Sequence, residues 1–396
     1  MSDWRLQPVS DLCSQIVDCV NKTAPISDAV TPFKMLRTTN VRDGWIDTSN
    51  ARRVDEPTYE RWTRRMRPQR GDVVLTREAP LGEVGMLRSD EPVFLGQRLV
   101  MYRADPTMCD PHFLLYSMLG PIVQAELRSL GSGATVEHLR VPDCEKLMIP
   151  CPDLAIQQRI GAVLNALDAL IENSRRRAAV LKEMVGAIYR EWFVHFHYPG
   201  HQNARLTDSS LGPIPNRWAV TTLGQVVEFR YGKALKKENR CGGSVAVVSS
   251  AGVVGWHNEH LAEGSTIVVG RKGNVGSVTW VDGPSWPIDT TYYVKTDLPQ
   301  RYVVEQLRRT EFLNTHAAVP GLSREQAYSR PFLQPPDELM MRFHELSQVL
   351  ETQASVIVAQ AERLVSMRDL LLPRLVTGRV DVSSLDLDAL IENAVA

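Results

Sequence analysis

The sequence predicts an α+β protein in which two strand-rich modules alternate with two long helices. Three observations predict it. Apolar residues recur at coiled-coil spacing in two separate stretches; a proline-rich hinge and a mixed, strand-rich region precede each stretch; and short motifs of the first half return, in order, in the second. The organisation expected is a first module over 1–150, a long helix over 151–197, a linker over 198–217, a second module over 218–335, a second long helix over 336–380 and an acidic tail over 381–396.

The first helix is read from Ile156, Ile160, Val163, Leu167 and Leu170, then Leu181, Met184, Ile188 and Trp192, which step by four and three as a coiled-coil seam does. No proline interrupts it. A helix from Ile156 to Phe193 is roughly 55 to 60 Å long at about 1.5 Å per residue, too long for one side of a small domain. The register weakens at Ser174 and Arg177, within the run Arg175 to Arg177. The second helix, Pro336 to about Thr377, repeats the pattern with Leu339, Phe343, Leu346, Leu350, Ile357, Leu364, Met367 and Leu371, broken by Gln353 and Gln360. Periodic stretches this long and uncapped point to a coiled coil or a repeat; the alternative is a pair of core helices in one large α domain.

The repeat runs through the modules as well. Trp4 matches Trp218, Gly44-Trp45 matches Gly255-Trp256, and Gly71 to Val84 matches Gly264 to Val278, with a separation that shrinks steadily along the chain, as small deletions between two copies require. Asp72 to Thr76 and Ser265 to Val269 read as buried strands, with Glu83 to Leu87 and Ser277 to Val281 as hairpin partners. Between the second pair lies Arg271-Lys272-Gly273-Asn274, a turn with two cations at its tip. His112 to Leu130 and Arg301 to His316 read as helices. Leu211 to Trp218 carries too many turn formers to be helical.

Composition sets the class. A chain of 396 residues, 43% hydrophobic and 23% charged, is an ordinary globular protein of two or three domains. Met1 to Gln15 lacks an apolar signal region and no run of about 18 apolar residues occurs, so a soluble, cytoplasmic chain is expected. The six cysteines form no CxxC pair and are expected reduced and mostly buried. Net charge is −1, yet arginines crowd Arg52 to Arg70, Lys233, Lys236, Lys237 and Arg240 form a second cluster, and Asp381, Asp386, Asp388 and Glu392 make the tail acidic. Local basic surface on a neutral chain is compatible with a polyanionic partner; solvated loops and helix faces are the alternative.

Catalytic signatures are missing. No GxGxxG follows a strand, no GxxxxGK[ST] exists and no GxSxG occurs. Pro142-Asp143-Cys144-Glu145-Lys146 packs acid and Glu-x-Lys together, where a nuclease metal site draws its carboxylates from different strands. His195, His197 and His201 lack a Cys or carboxylate at ligand spacing and read as a polar helix end. Gln334-Pro335-Pro336-Asp337 is not the loop of an amino-group methyltransferase. The chain reads as a binder, with no catalytic residue, metal or cofactor of its own.

Several stretches resemble the specificity subunit of type I restriction-modification systems: Arg190-Glu-Trp-Phe-Val-His-Phe196 closing the first helix, Leu211-Gly-Pro-Ile-Pro-Asn-Arg-Trp218 opening the second module and Arg368-Asp-Leu-Leu-Leu-Pro-Arg-Leu-Val-Thr-Gly378 closing the second helix. Ser249 to His257, Val269-Gly-Arg-Lys-Gly-Asn-Val-Gly276 and Trp286-Pro-Ile-Asp-Thr-Thr-Tyr-Tyr293 are similar to the family's target recognition domain. The resemblance implies that the helices pair as an antiparallel coiled coil and that each module reads half of a bipartite, asymmetric site in double-stranded DNA, in bacterial defence. It implies a non-catalytic subunit on which two methyltransferase subunits dock, with restriction subunits where the system has them. S-adenosylmethionine, ATP and Mg²⁺ then belong to the partners.

The same resemblance places Ser249, Ser250, Arg271, Lys272, Asn274, Thr290 and Thr291 at the DNA in the second module, with Lys233, Lys236 and Lys237 on phosphates. The internal repeat places Thr38, Thr39, Asn40 and Arg77 in the first, with Lys22 and Thr23 beside them. The first module is more diverged, carrying Glu78 where the second has Lys272. Trp45 and Trp256 are expected in the module cores. A stand-alone DNA-acting enzyme and a coiled-coil scaffold that reads no DNA are the other function classes the sequence leaves open.

Overall fold

The computed structural model describes residues 4–131, 138–312 and 321–382. Asp386, Asp388 and Glu392 of the acidic tail, and the last four residues of the helix predicted over Arg301 to His316, lie outside the described residues. The chain divides into two compact units, Met1–Arg175 with Ala359–Ala396, and Arg176–Val358.

The first unit is built on a six-stranded sheet in the order Cys13–Asp18, Leu99–Ala104, Val73–Arg77, Leu81–Met86, Gly44–Ile46 and Val41–Arg42. Its central strand is apolar on both faces because both are covered. Val73 and Leu75 point into a core with Phe113, Tyr116, Val100 and Tyr102, while Val74 packs with Leu99, Met101 and Leu36 on the other side. A three-stranded sheet pairs Lys34–Leu36 antiparallel with Arg52–Arg53 and parallel with Val93–Leu95. The single helix predicted over His112 to Leu130 is two, Pro111–Leu119 and Pro121–Leu130. Pro121 lacks the amide needed to continue the first and suits the first turn of the second.

The second unit repeats the plan. Its four-stranded sheet runs Glu228–Tyr231, Thr291–Lys295, Thr266–Gly270, Val278–Val281, the order of the first four strands of the other unit. Its three-stranded sheet likewise holds a parallel pair, Val245–Ser249 with Ser285–Pro287. Ile267 and Val269 face the main core, Val268 the opposite one. The two predicted hairpins are therefore present, Val73–Arg77 with Leu81–Met86 and Thr266–Gly270 with Val278–Val281. The repeat breaks at the Gly-Trp match. Trp45 lies in the six-stranded sheet, whereas Trp256 lies on the outer edge strand of the three-stranded one and is 53% exposed rather than in the core. The segment expected as a linker is folded onto this unit, with Leu206–Thr207 paired to Ile214–Pro215 and Trp218 packed against Phe196 and Tyr198.

The long helices span Leu154–Tyr189, 36 residues closed by a π-helical turn Arg190–Val194, and Asp337–Leu375, 39 residues. They pair antiparallel within each unit. In the first, Ile160, Leu164 and Leu167 share a core with Leu371, Leu372 and Leu375, and in the second Val185 and Tyr189 share one with Met340 and Phe343. The buried stripe departs from the seam read off hydropathy, sharing Ile160 and Phe343 with it. On the first helix it is Gln157, Ile160, Leu164, Asp168, Ile171 and Ala178, and on the second the same steps give Met340, Phe343, Ser347, Ala354 and Ala361, with the half-buried Glu351 at the step of Asp168. Met184 and Met367, expected in the seam, are exposed. Polar residues move the stripe: the Gln157 amide donates to the carbonyls of Met108 and Pro152 and accepts from the Asp110 amide, so it is pulled inside.

Candidate nucleic-acid interface

In the second unit the predicted reading residues gather at the end of strand Thr266–Gly270. Gly270 is obligatory there: a Cβ would strike the carbonyl oxygen of Asn274 and the Ser277 hydroxyl and stand 3.1 Å from the Ser250 Cβ. The chain then folds back on itself, the Gly276 amide donating to the Gly270 carbonyl at 2.9 Å, with Gly273 and Gly276 at positive φ. The amides of Arg271 and Lys272 both donate to the Thr290 carbonyl, at 2.9 and 3.0 Å. The Ser277 hydroxyl donates to the Ser250 carbonyl at 2.7 Å, which fixes the turn carrying Ser249 and Ser250 beside this loop. Lys272, Gly273 and Asn274 are left exposed at the tip.

Arg271 does not wave free. Its guanidinium lies 5.2 Å from the ring centre of Tyr231 and 5.9 Å from that of Tyr292. Tyr231, 51% exposed, takes a second guanidinium, that of Arg324, at 4.4 Å. The hydrogen bond from Arg324, and then that with Tyr292, hold the Tyr231 hydroxyl below its usual range, while burial pushes Tyr292 up to about 12. Two flat cations on one open aromatic ring form a surface ready for a polyanion. Lys233, Lys236 and Lys237 are exposed, with Lys233 Nζ 5.9 Å from the Trp286 ring. Thr291 is different. It is fully buried and its hydroxyl donates to the Ile288 carbonyl, so it shapes the loop from inside and is not part of the open face.

The first unit builds the same backbone frame with other side chains. The Arg77 amide donates to the Arg98 carbonyl at 2.8 Å as Arg271 does to Thr290, and the Leu139 amide donates to the Arg77 carbonyl at 2.9 Å as Leu322 does to Arg271. Glu78 bridges to His138 as Lys272 does to Gly321. The Arg77 guanidinium turns inward, donating to the Leu139 carbonyl at 3.1 Å, and Glu78 pairs with Arg98 at 3.4 Å. Thr38–Asn40 form a 3-10 turn in which the Thr38 hydroxyl donates to the Ala79 carbonyl and Thr39 is exposed. Asn40 is 5% exposed; it accepts from the Arg37 amide and donates to the Asp47 carbonyl, so it closes the turn and does not reach outward. Lys22 and Thr23 are exposed. The arginine-rich segment is largely spent within the unit: Arg65 pairs with Asp18 and Arg67 with Glu60, both at 2.6 Å.

Residues 64–183 match the type I restriction modification DNA specificity domain. The chain is 22% identical over 367 residues to the MjaIX type I restriction enzyme specificity subunit of Methanocaldococcus jannaschii, covering 84% of this chain and 83% of that one. It is 20% identical over 159 residues to the Escherichia coli EcoBI specificity subunit, covering 40% of this chain and 33% of the other. The crystal structure of a type I restriction-modification S subunit from M. genitalium aligns over 94% of this chain and 96% of its own, with a TM-score of 0.57 at 18% identity, so the fold is shared along the whole length. Over most of its length the chain is similar to type I specificity subunits.

The relatives it matches are named as specificity subunits of type I restriction enzymes. Among the described residues no three His, Cys, Asp or Glu side chains are placed to hold a metal ion, and no helix is long and apolar enough to cross a membrane. All six cysteines are free; Cys241 is exposed, and burial pushes the Cys13 and Cys144 thiols up to about 12. Of the open aromatic–cation face, sequence reasoning missed Tyr231 and Arg324. Tyr231 ends a strand of the same sheet, directly opposite Tyr292, a signal visible only once the pairing is known.

Proposed function

We propose that this chain is the DNA-reading subunit of a type I restriction-modification complex, binding double-stranded DNA with its two strand-rich modules and positioning the methyltransferase subunits on it. Each module reads one half of a bipartite site. The modules share a backbone frame but present unlike side chains, an inward Arg77 with Glu78 in one and a stacked Arg271 with Lys272 in the other, so the two half-sites differ and the site is asymmetric. The long helices set the unread spacer between them.

The observation that carries this reading is the open face of Tyr231, Arg271 and Arg324 beside Ser249, Ser250 and Asn274. A guanidinium offers the bidentate pattern that matches guanine O6 and N7 in the major groove, while hydroxyls and Asn serve other base edges. Lys233, Lys236 and Lys237 supply phosphate contacts that position without specifying. In the first module Thr39, Lys22 and Thr23 have the exposure such contacts need, while Thr38 and Arg77 are half-buried. Two methyltransferase subunits, and restriction subunits where present, bring S-adenosylmethionine, ATP and Mg²⁺; adenine methylation and cleavage are theirs.

Methylome sequencing of cells expressing this chain with its methyltransferase subunit tests the reading. A bipartite, asymmetric adenine-methylated motif is expected. Methylation without such a motif, or an assembled complex whose duplex binding does not weaken with salt, overturns it. Exchanging residues 1–150 for another family member's module is expected to change one half of the motif only.

A further inference from the structure

Each long helix carries a carboxylate at the same step of its inward stripe: the buried Asp168 on the first helix and the half-buried Glu351 on the second. Each meets an arginine from the module of its own unit. In the first unit the Arg88 guanidinium lies 4.2 Å from the Trp45 ring centre, donates to Asn165 Oδ1 at 2.8 Å and reaches Asp168 Oδ2 at 3.5 Å. Asp168 also accepts from the Tyr116 hydroxyl at 2.8 Å and pairs with Arg368 at 3.0 Å. In the second unit the Arg301 guanidinium lies 3.8 Å from the Trp280 ring centre, pairs with Glu351 and meets Asp282 at 3.1 Å.

The arginines and tryptophans come from different elements. Arg88 follows strand Leu81–Met86 and Trp45 lies on Gly44–Ile46, whereas Arg301 lies on helix Gln300–Arg309 and Trp280 on strand Val278–Val281. The acid keeps its place while its partners change, so the two units arrive at one arrangement by separate routes: a guanidinium held between a module indole and a helix carboxylate. Such a pair is a weak source of stability, because the cost of drying the charges offsets their attraction. What it does well is select one orientation, since a planar guanidinium sandwiched this way has a single fitting pose.

We propose that Asp168 and Glu351 are positioning residues, each holding the module of its own unit in the one pose on the long helices at which that module discriminates its half-site. The inference rests on the DNA-reading function proposed above. It is tested with the complete complex, by competition binding against duplexes altered at one base pair in one half-site at a time. Asp168→Asn is expected to cut discrimination about tenfold at the half-site read by the first module, with the other half-site and non-specific affinity unchanged; Glu351→Gln is expected to do the reverse. Arg88→Lys and Arg301→Lys keep the charge and lose the flat face on the indole, and a smaller loss confined to the same half-site is expected of each. These carry the test if an acid variant fails to assemble. Loss shared equally between both half-sites, or discrimination intact at both in assembled variants, overturns the proposal. A wild-type complex without any base discrimination overturns the reading function itself, and is seen before any variant is made.

Discussion

Arg324 lies with its guanidinium 4.4 Å from the ring centre of Tyr231, and the same ring carries Arg271 at 5.2 Å. An arginine aimed this way has already lost much of its rotamer freedom, so little more is lost when it meets a base. Arg271→Ala is expected to cost about 1–3 kcal/mol at a single base position, and Tyr231→Ala to reproduce part of that loss at the same position. Binding to a panel of singly substituted duplexes checks both; losses at different positions would separate the two residues.

Lys236 is exposed. Lys236→Ala is expected to weaken binding to all sequences alike and to lower the slope of log K against log salt by about 0.9, the signature of one lost phosphate contact. A relaxed recognition sequence in this variant would show that the lysine reads a base.

Gly270 leaves no room for a Cβ against the Asn274 carbonyl and the Ser277 hydroxyl. Gly270→Ala is expected to displace the loop that carries Arg271, costing about 1–3 kcal/mol of folding stability and most discrimination at the second half-site. Thermal melting and the duplex panel measure the two effects separately.

Burial raises the Glu351 carboxyl above its ordinary value, outweighing the opposing pull of Arg301. The folded state therefore holds this proton more tightly than the unfolded chain, and stability is lost as pH rises from about 4.5 through the raised value. Glu351→Gln is expected to remove that part of the pH dependence. Melting temperatures of both proteins between pH 4 and 8 check the sign, which would be opposite if Arg301 dominated.

The alternation of modules and helices was legible because apolar spacing and turn chemistry are local properties; Val73 to Leu75 and Ile267 to Val269 announce buried strands by themselves. The seam of the helices was not, since hydropathy places Gln157 and Asp168 outside and only their partners bring them in. The site was legible in part. The loop Arg271 to Asn274 declares itself by cations among glycines, but nothing in the letters tells that the Thr291 hydroxyl turns inward or that Asn40 closes a turn. Tyr231 and Arg324 stand far apart in sequence and meet only through the sheet and the segment after Leu322.

The frame that holds Arg77 between Arg98 and Leu139, and Arg271 between Thr290 and Leu322, is made of main-chain bonds alone. Amides and carbonyls do not depend on which side chain they bear, so the lettering at these positions can be rewritten while the mounting stays. The swap of Glu78 for Lys272 reverses a charge at one such position without altering the bridge beneath it. A protein built this way can acquire a new vocabulary by a handful of exchanges, one module at a time.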